Sequence, residues 1–298
     1  MGRTERRNDD CCRNEPDVAT EAGTTKQPTT PKDTVRADTP REWDARSYHA
    51  VSEPQFEWGK RVLASLELVG NEVVADAGCG TGRLTALLAD RLPNGSIVAL
   101  DRSDNMAQVA ANTLTNRDRT TVAVADISAL PFRTMFDVVF STATFHWVLD
   151  HDTLFSELHR VLKPGGRLHA QCGGGTNLQR IQSRAYDLSQ TPVFAPMFAS
   201  WKSATYYADI DSTTRRLRSA GFVDVDVRLE PAPFVFPNAD AFATFVSTVV
   251  LRPFLARISD AGLRSRFVQR ITQLAACDAP AFELDYWRLN IRARRAPA

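Results

Sequence analysis

The 298-residue chain contains 43% hydrophobic and 24% charged residues, which is ordinary for a globular protein. Its formal net charge of +1 gives no general electrostatic reason to bind nucleic acid or a membrane surface. No apolar run approaches the ~18 residues that span a bilayer, and the N-terminus lacks an apolar signal-peptide core. We therefore expect a cytoplasmic protein. The five cysteines show neither metal-ligand spacing nor a disulfide framework, so no metal is expected.

Residues 1–40 are rich in Thr, Pro, Asn and charged side chains and contain few large aliphatic residues. Such a segment buries too little apolar surface to offset the entropy lost on ordering. We predict a disordered leader here and a folded domain over 41–298. From Trp43 to Leu66, aromatic and aliphatic residues predict one or two helices before the first strand.

Strands and helices then alternate along the chain. The predicted strands are 73–76, 96–101, 122–126, 136–141 and 167–172, and the helices are 82–92, 104–114 and 151–162. Strands separated by helices predict an α/β fold with a doubly wound, largely parallel sheet.

The pattern changes after residue 172. A helix over 211–220, ended by Gly221, and strands over 223–227 and 284–291 are predicted. The segments 175–210 and 231–282 are predicted to be helical insertions, which form either a cap over the substrate or an extension of the core.

A glycine-rich turn follows the first predicted strand. That strand ends on Asp76, and Gly78, Gly80 and Gly82 let the backbone adopt positive φ and approach a ligand closely. The next helix offers free N–H groups, but Asp76 would repel a phosphate and suits a cationic ligand. Asp101 ends the next strand, about 20 residues on, where Rossmann-like units hold ribose hydroxyls. Together these features indicate S-adenosylmethionine.

The alternative for this turn is a nicotinamide dehydrogenase, whose fingerprint is G-x-G-x-x-G/A. If Gly78 and Gly80 were its first two glycines, the third would fall on Arg83, which is too large for close packing of the helix on the strand. The spacing therefore disfavours a dinucleotide.

Five motifs in order resemble those of class I S-adenosylmethionine-dependent methyltransferases. They are Asp76–Gly82, Asp101, Asp126-Ile127, Phe136–Ser141 and Leu162–Gly166. The resemblance covers about residues 70–172. It implies a Rossmann-like sheet of seven strands, the last antiparallel, and S-adenosyl-L-methionine as the cofactor.

The resemblance also implies a role for each residue of the cofactor site. Contacts to the methionine moiety are implied for Asp76, Gly78 and Gly80, with Gly82 in the same loop, and for Ser141 and Thr142 near the sulfonium. The resemblance implies that Asp101 binds the ribose hydroxyls and that Arg102 and Met106 flank the adenine. It also implies that Asp126 and Ile127 contact the adenine edge.

His146 follows the fourth predicted strand, where ligands bind in such sheets. Its ordinary pKa near 7 suits a general base or a donor that orients the acceptor, and packing against the cofactor is the alternative. A carboxylate acceptor needs no base, whereas a phenol, alcohol or carbon acid usually does. We expect His151 and His159 at the surface, and His49 near the site if the N-terminal segment folds over it.

Three further segments are similar to small-acid carboxyl methyltransferases such as the trans-aconitate methyltransferases, and more distantly to malonyl carrier-protein methyltransferases. They are Trp43–Tyr48, Phe145–Val148 and Asp285–Leu289. This similarity implies a small-molecule acceptor and carboxyl O-methylation. One alternative is a catalytically silent cofactor-binding or interaction protein. Another is an RNA or protein methyltransferase, which the near-neutral charge and the sequence Ser141–Thr144 disfavour.

Overall fold

The computed structural model describes residues 42–298, and the predicted leader lies outside the described residues. The strands are β1 Val73–Ala77, β2 Ser96–Asp101, β3 Thr120–Val124, β4 Phe136–Thr142, β5 Leu162–Gly173, β6 Phe222–Pro231, β7 Phe234–Val235, β8 Glu283–Leu284 and β9 Trp287–Arg295.

The helices alternate with these strands. They are α1 Ala45–Val51, α2 Glu53–Ala64, α3 Arg83–Ala89, α4 Asp104–Thr113, α5 His151–Val161, α6 Gln179–Ser189, α7 Ala195–Phe198, α8 Ile210–Ser219, α9 Ala239–Phe245, α10 Arg252–Leu255 and α11 Ala261–Ala276. A 3₁₀ turn covers Phe145–Trp147, and a π-helical turn covers Val246–Val250.

Seven strands form one sheet in the order β3-β2-β1-β4-β5-β9-β6. The pairs from β3 to β5 are parallel, whereas β9 runs antiparallel to both β5 and β6. This confirms the predicted doubly wound sheet with an antiparallel last strand. Since parallel neighbours end on the same side, the carboxyl ends of β1, β2, β4 and β5 meet at one edge of the sheet.

Among the predicted strand starts, those of β5 and β9 differ most from the observed ones. The strand β5 begins at Leu162, because Leu162 already pairs with Phe136 before the chain turns through Gly165 at a φ of +78°. The strand β9 begins at Trp287, since Leu284 pairs with Phe234 in a separate two-stranded sheet. Local apolar patterning did not distinguish these two pairings.

Helices cover both faces of the large sheet. On one face α2, α3 and α4 pack on β1, β2 and β4 through a core that includes Leu63, Val74, Leu88, Ile97, Ala110 and Phe140. On the other face α5 and α8 pack on β4, β5, β9 and β6 through a core that includes Val139, Leu154, Phe155, Leu168, Leu217 and Ile291. The central parallel strands β1, β2 and β4 therefore read as mostly apolar runs.

The helices of the two insertions pack on each other. We call α6, α7, α9, α10 and α11 the helical layer. The ring of Phe198 stacks on Phe267 at a centroid distance of 6.4 Å, and the ring of Trp201 lies 4.5 Å from that of Phe254. The two insertions therefore share one apolar core.

Among residues 42–298, no helix combines the length and the apolar character needed to cross a bilayer.

Candidate functional site

The glycine loop is tied to the second strand by its backbone. The N–H groups of Gly78 and Cys79 both donate to the carbonyl oxygen of Leu100, at 2.7 and 2.9 Å. The N–H of Gly80 donates to Oδ2 of Asp101 at 3.0 Å. These bonds fix the loop beside the carboxyl end of β2.

The three glycines of the loop all have positive φ, but their surroundings differ. A Cβ on Gly78 would lie 2.2 Å from Oγ1 of Thr144, and one on Gly82 would lie 3.2 Å from Cα of Ala110 in α4. A Cβ on Gly80 would meet no atom within 4 Å. Gly80 is therefore the glycine at which the loop faces open space and a ligand can approach the backbone.

Asp76 is buried near the carboxyl end of β1. The hydroxyl of Thr85 donates to its Oδ2 at 2.6 Å. Burial raises the pKa of Asp76 from 3.8 to about 7, against the lowering effect of the Thr85 bond, and the negative charge of Asp101 adds to the rise. The site therefore holds a carboxyl group that a cation would return to the ionised form.

Asp101, the last residue of β2, lies beside the same loop. Its two oxygens accept backbone hydrogen bonds from Gly80 and Ser103, yet burial raises the pKa of its carboxyl group. Within residues 42–298, neither Asp101 nor Asp76 forms an ion pair with a basic side chain. A buried and a half-buried acid without a cation fit a ligand that carries positive charge and hydroxyl donors.

The other predicted cofactor residues lie along the same edge of the sheet. Arg102 and Asp126 form an exposed ion pair at 4.0 Å, and Asp126 lies two residues beyond the end of β3. Met106 and Ile127 are buried. Ser141 and Thr142 end β4; the hydroxyl of Ser141 donates to the carbonyl of Ala77 at 2.6 Å, and Thr142 is half-buried.

The segment before β1 folds over the glycine loop. Nδ1 of His49 lies 3.2 Å from Oγ1 of Thr81, as expected if this segment reaches the site. The ring of Trp43 packs edge-on against Trp147 at 5.3 Å. Burial, together with the charge of Asp101, raises the pKa of Tyr48 to about 12. The α1 segment thus forms one wall of the site, a role that only His49 indicated in the sequence.

His146 is buried in the 3₁₀ turn after β4. The backbone N–H of Gly173 donates to its Nδ1 at 3.3 Å, so the neutral ring carries its proton on Nε2. Burial lowers the pKa of His146 from 6.5 to about 3, and the positive charge of Arg288 contributes. Its ring stacks on Tyr207 at 5.7 Å. The side chain is therefore a neutral donor near pH 7.

The expectation that His151 lies at the surface is wrong. His151 is buried at the start of α5, where its Nε2 donates to the carbonyl of Phe145 at 3.0 Å and its ring packs edge-on against Tyr206 at 4.9 Å. This hydrogen bond anchors the 3₁₀ turn to the start of α5. Helical periodicity alone did not indicate this contact. His159 is half-buried against Phe222 at 5.0 Å.

Arg288 is a buried cation that was missed as a candidate site residue. Its side chain is 4% exposed, and its partner residue across β5 is Gly173, which places it at the same edge as His146. Nε donates to Oε1 of Gln171 at 3.4 Å, and the guanidinium carbon lies 4.8 Å from the ring centroid of Trp58. The available signal was an arginine inside a predicted apolar strand.

The chain is similar to known proteins over most of its length. A family model described as a methyltransferase domain matches residues 75–170. The YcgJ protein of Bacillus subtilis has the same fold, with a TM-score of 0.57 at 13% identity over 82% of this chain and 100% of that one. Trans-aconitate 2-methyltransferase of Acidovorax ebreus is 27% identical over 270 residues, covering 86% of this chain and 99% of that one.

The malonyl-[acyl-carrier protein] O-methyltransferase of Geobacter sulfurreducens is 33% identical over 210 residues. The match covers 69% of this chain and 76% of that protein. The chain belongs to the S-adenosylmethionine-dependent methyltransferases. The motifs that predicted this family therefore identified it correctly.

The site of this methyltransferase fits its cofactor, S-adenosyl-L-methionine. The cofactor carries an amino group and a sulfonium, which suit the buried carboxyl group of Asp76, and ribose hydroxyls, which suit Asp101. The open space at Gly80 admits a ligand next to the loop. Because both acids lack a basic partner among the described residues, the charge of the site favours this cofactor over a phosphate-bearing one.

Proposed function

We propose that this methyltransferase methylates a carboxylate oxygen of a small-molecule acid. The observation that carries the proposal is the state of His146: its ring is neutral, its pKa is lowered to about 3, and its Nδ1 already accepts a hydrogen bond. A general base needs a pKa near the working pH. A carboxylate is ionised at neutral pH and needs no base.

Three titratable groups near Arg288 hold their protons at neutral pH. Burial raises the pKa of Cys172 to about 12 and raises the pKa of Tyr207 and Tyr286. None of these three groups accepts a proton near pH 7. A phenol, alcohol or carbon acid would therefore find no base among them, which supports an acceptor that is already ionised.

The names of two relatives agree with this choice of acceptor. One is named as an O-methyltransferase of malonyl-[acyl-carrier protein], and the other is named as a 2-methyltransferase of trans-aconitate. Both names describe acceptors with carboxyl groups. They support carboxyl O-methylation of a small molecule here, and leave the choice of acid to the residues around His146 and the helical layer.

The proposed reaction depends mainly on positioning. The cofactor supplies a methyl group already activated by its sulfonium, so the protein has to align the acceptor oxygen with it. We assign Asp76 to the amino group, Asp101 to the ribose, and Gly80 to close backbone approach.

Two further groups complete the proposed cofactor site. We assign the adenine to four residues: Arg102, Met106, Asp126 and Ile127. Ser141, Thr142 and Gly78 border the methionine end, and Gly82 acts by packing on α4.

Replacing Asp101 by Asn tests the ribose assignment. We expect the dissociation constant for S-adenosylhomocysteine to rise about 10- to 100-fold, because a hydrogen bond to a charged group contributes ~1.5–3 kcal/mol. Isothermal titration calorimetry measures it. Asp118→Asn, at an exposed position away from the loop, is the matched control and should leave the affinity unchanged. Equal affinity in wild type and Asp101→Asn would refute the assignment.

A second test concerns His146 as a donor. At saturating cofactor, kcat should show no ionisation between about pH 6 and 9 that belongs to His146, because its folded pKa lies near 3. His146→Gln should lower kcat about tenfold or less and leave the affinity for S-adenosylhomocysteine unchanged. If kcat fell with an ionisation near pH 6–7 and this ionisation disappeared in His146→Gln, His146 would be a general base instead. The variant His159→Gln serves as the control.

The reaction itself is tested with the purified protein, S-adenosylmethionine and a panel of mono-, di- and tricarboxylic acids. Mass spectrometry should find a product heavier by one methyl group that is hydrolysed by mild alkali, as an ester is. Bound cofactor without turnover would support the silent-protein alternative. An alkali-stable methyl product would contradict O-methylation of a carboxylate.

A further inference from the structure

Arg288 occupies an unusual environment for a cation. Its guanidinium is buried between the ring of Trp58 and the amide of Gln171, and among residues 42–298 no carboxylate lies within ion-pair distance of it. Burial without an anion lowers the pKa of this guanidinium. An unpaired buried charge costs free energy, which the face of one aromatic ring offsets only in part.

A second polar side chain nearby also lacks a partner. Oε1 of Gln55 is buried and accepts no hydrogen bond, while Nε2 of the same amide donates to the hydroxyl of Tyr286 at 3.5 Å. Tyr286 lies within 6.0 Å of the Arg288 guanidinium. The Gln55 oxygen therefore lacks a hydrogen-bond donor and the Arg288 guanidinium lacks an anion, and both groups lie close to Tyr286.

Arg288 also borders a cleft of about 250 Å³ between α2 and the strands β5, β9 and β6. Arg61, Arg228 and Arg292 line the same cleft, against the acids Asp226 and Glu230. Asp226 is already bonded to Arg228 at 2.9 Å. The cleft therefore has an excess of positive charge and leads from solvent to Arg288, which favours an anionic ligand.

We propose that Arg288 binds a second carboxylate of the acceptor, one that is not methylated, so that the enzyme selects acids with at least two carboxyl groups. This inference rests on the carboxyl O-methylation proposed above. A guanidinium binds a carboxylate through two parallel hydrogen bonds, which occupy both oxygens and reduce their nucleophilicity. It therefore suits the anchored end of an acid and not the reacting end.

The test uses three variants of the full chain. Arg288→Met keeps the length of the side chain and removes its charge, and Arg288→Lys keeps the charge without the planar fork. Arg294→Met is the matched control, since Arg294 lies on the same strand and face but is exposed and does not line the cleft. Binding of succinate, glutarate and trans-aconitate, and of the monoamides of the two diacids, is measured calorimetrically with S-adenosylhomocysteine present.

Wild type and Arg294→Met should bind at least one diacid about 10- to 100-fold more tightly than its monoamide. Arg288→Met should lose that preference, Arg288→Lys should keep a small part of it, and cofactor affinity should be unchanged in both. The melting temperature of ligand-free Arg288→Met should equal or exceed that of wild type, since an unpaired buried charge has been removed.

Three results would overturn the proposal. They are equal binding of diacids and monoamides by wild type, an intact preference in Arg288→Met, and inorganic phosphate binding as tightly as the diacids. A strong loss of stability in Arg288→Met with an intact preference would assign Arg288 a structural role. Failure of the proposed function differs from all of these, because no acid would then yield an ester even where diacids bind through Arg288.

Discussion

Replacing Asp76 by Asn is expected to weaken the binding of S-adenosylmethionine about 100-fold and to stabilise the cofactor-free protein at pH 8. Burial raises the pKa of this carboxyl group from 3.8 to about 7, so at pH 8 the folded protein holds a buried carboxylate without a cation. A difference of one unit between the folded and the unfolded pKa changes the free energy of unfolding by ~1.4 kcal/mol. We expect the free energy of unfolding of Asp76→Asn at pH 8, measured by urea denaturation, to exceed that of wild type by about 1–3 kcal/mol.

The pH dependence has a defined sign. Because the folded pKa lies above the unfolded value, the neutral carboxyl group of Asp76 favours folding below about pH 4, and this contribution is lost as the pH rises through about 7. Cofactor binding has the opposite trend, since the cationic amino group requires the ionised form. Wild-type affinity should therefore fall about tenfold for each pH unit below 7.

Calorimetric titrations between pH 5.5 and 8 check this behaviour. The affinity of Asp76→Asn should be low and independent of pH, and Asp118→Asn should behave as wild type in both binding and unfolding. A variant Asp76→Asn that binds the cofactor normally would remove Asp76 from the site. One that is less stable than wild type at pH 8 would contradict the cost assigned to its ionised form.

Alanine at Gly78 and at Gly80 should have different effects, although both glycines have positive φ. At Gly78 the new Cβ would lie 2.2 Å from Oγ1 and 2.3 Å from Cγ2 of Thr144, so we expect a loss of about 2–4 kcal/mol in the free energy of unfolding. At Gly80 the Cβ enters open space, and the loss should be only about 1 kcal/mol. Gly80→Ala should instead weaken cofactor binding about tenfold or more.

Denaturant unfolding and calorimetric titration together separate these two effects. Gly262→Ala, at an exposed position in α11, is the control and should lower neither stability nor affinity. If Gly80→Ala bound the cofactor as wild type does, the open space beside Gly80 would not be the place where the ligand approaches.

The family, the fold and the cofactor could be predicted from the sequence because their signals are local. A buried strand, an acid and alternate glycines follow one another within ten residues, and parallel pairing then places the carboxyl ends of neighbouring strands together. Asp76, Asp101 and Ser141 lie near the carboxyl ends of β1, β2 and β4, and their contacts with the cofactor stay predictions.

The surroundings of Arg288 and His151 were predicted less well because they depend on contacts between distant parts of the chain. Arg288 pairs across the sheet with Gly173, and its guanidinium contacts Trp58 in α2. His151 was placed at the surface because a histidine at a helix start gives no sign of the turn that packs above it. Local periodicity does not record such long-range contacts.

The helical layer gives a similar lesson. Its two segments were predicted separately, and nothing in either one indicates that Phe194 and Phe198 pack against Phe267. The aromatic residues of the helical layer fill a shared core, which by itself accounts for their spacing in the sequence.

The position of β9 between β5 and β6 has a consequence for how the protein is made. During synthesis β6 leaves the ribosome before residues 232–286, and within residues 42–298 its only neighbour in the sheet is β9. Strands β1 to β5 can therefore pair with one another before β6 has a neighbour. Insertion of β9 then joins β6 to the sheet and brings Arg288 into place, so that the residue proposed to bind the second carboxylate of the acceptor is added last.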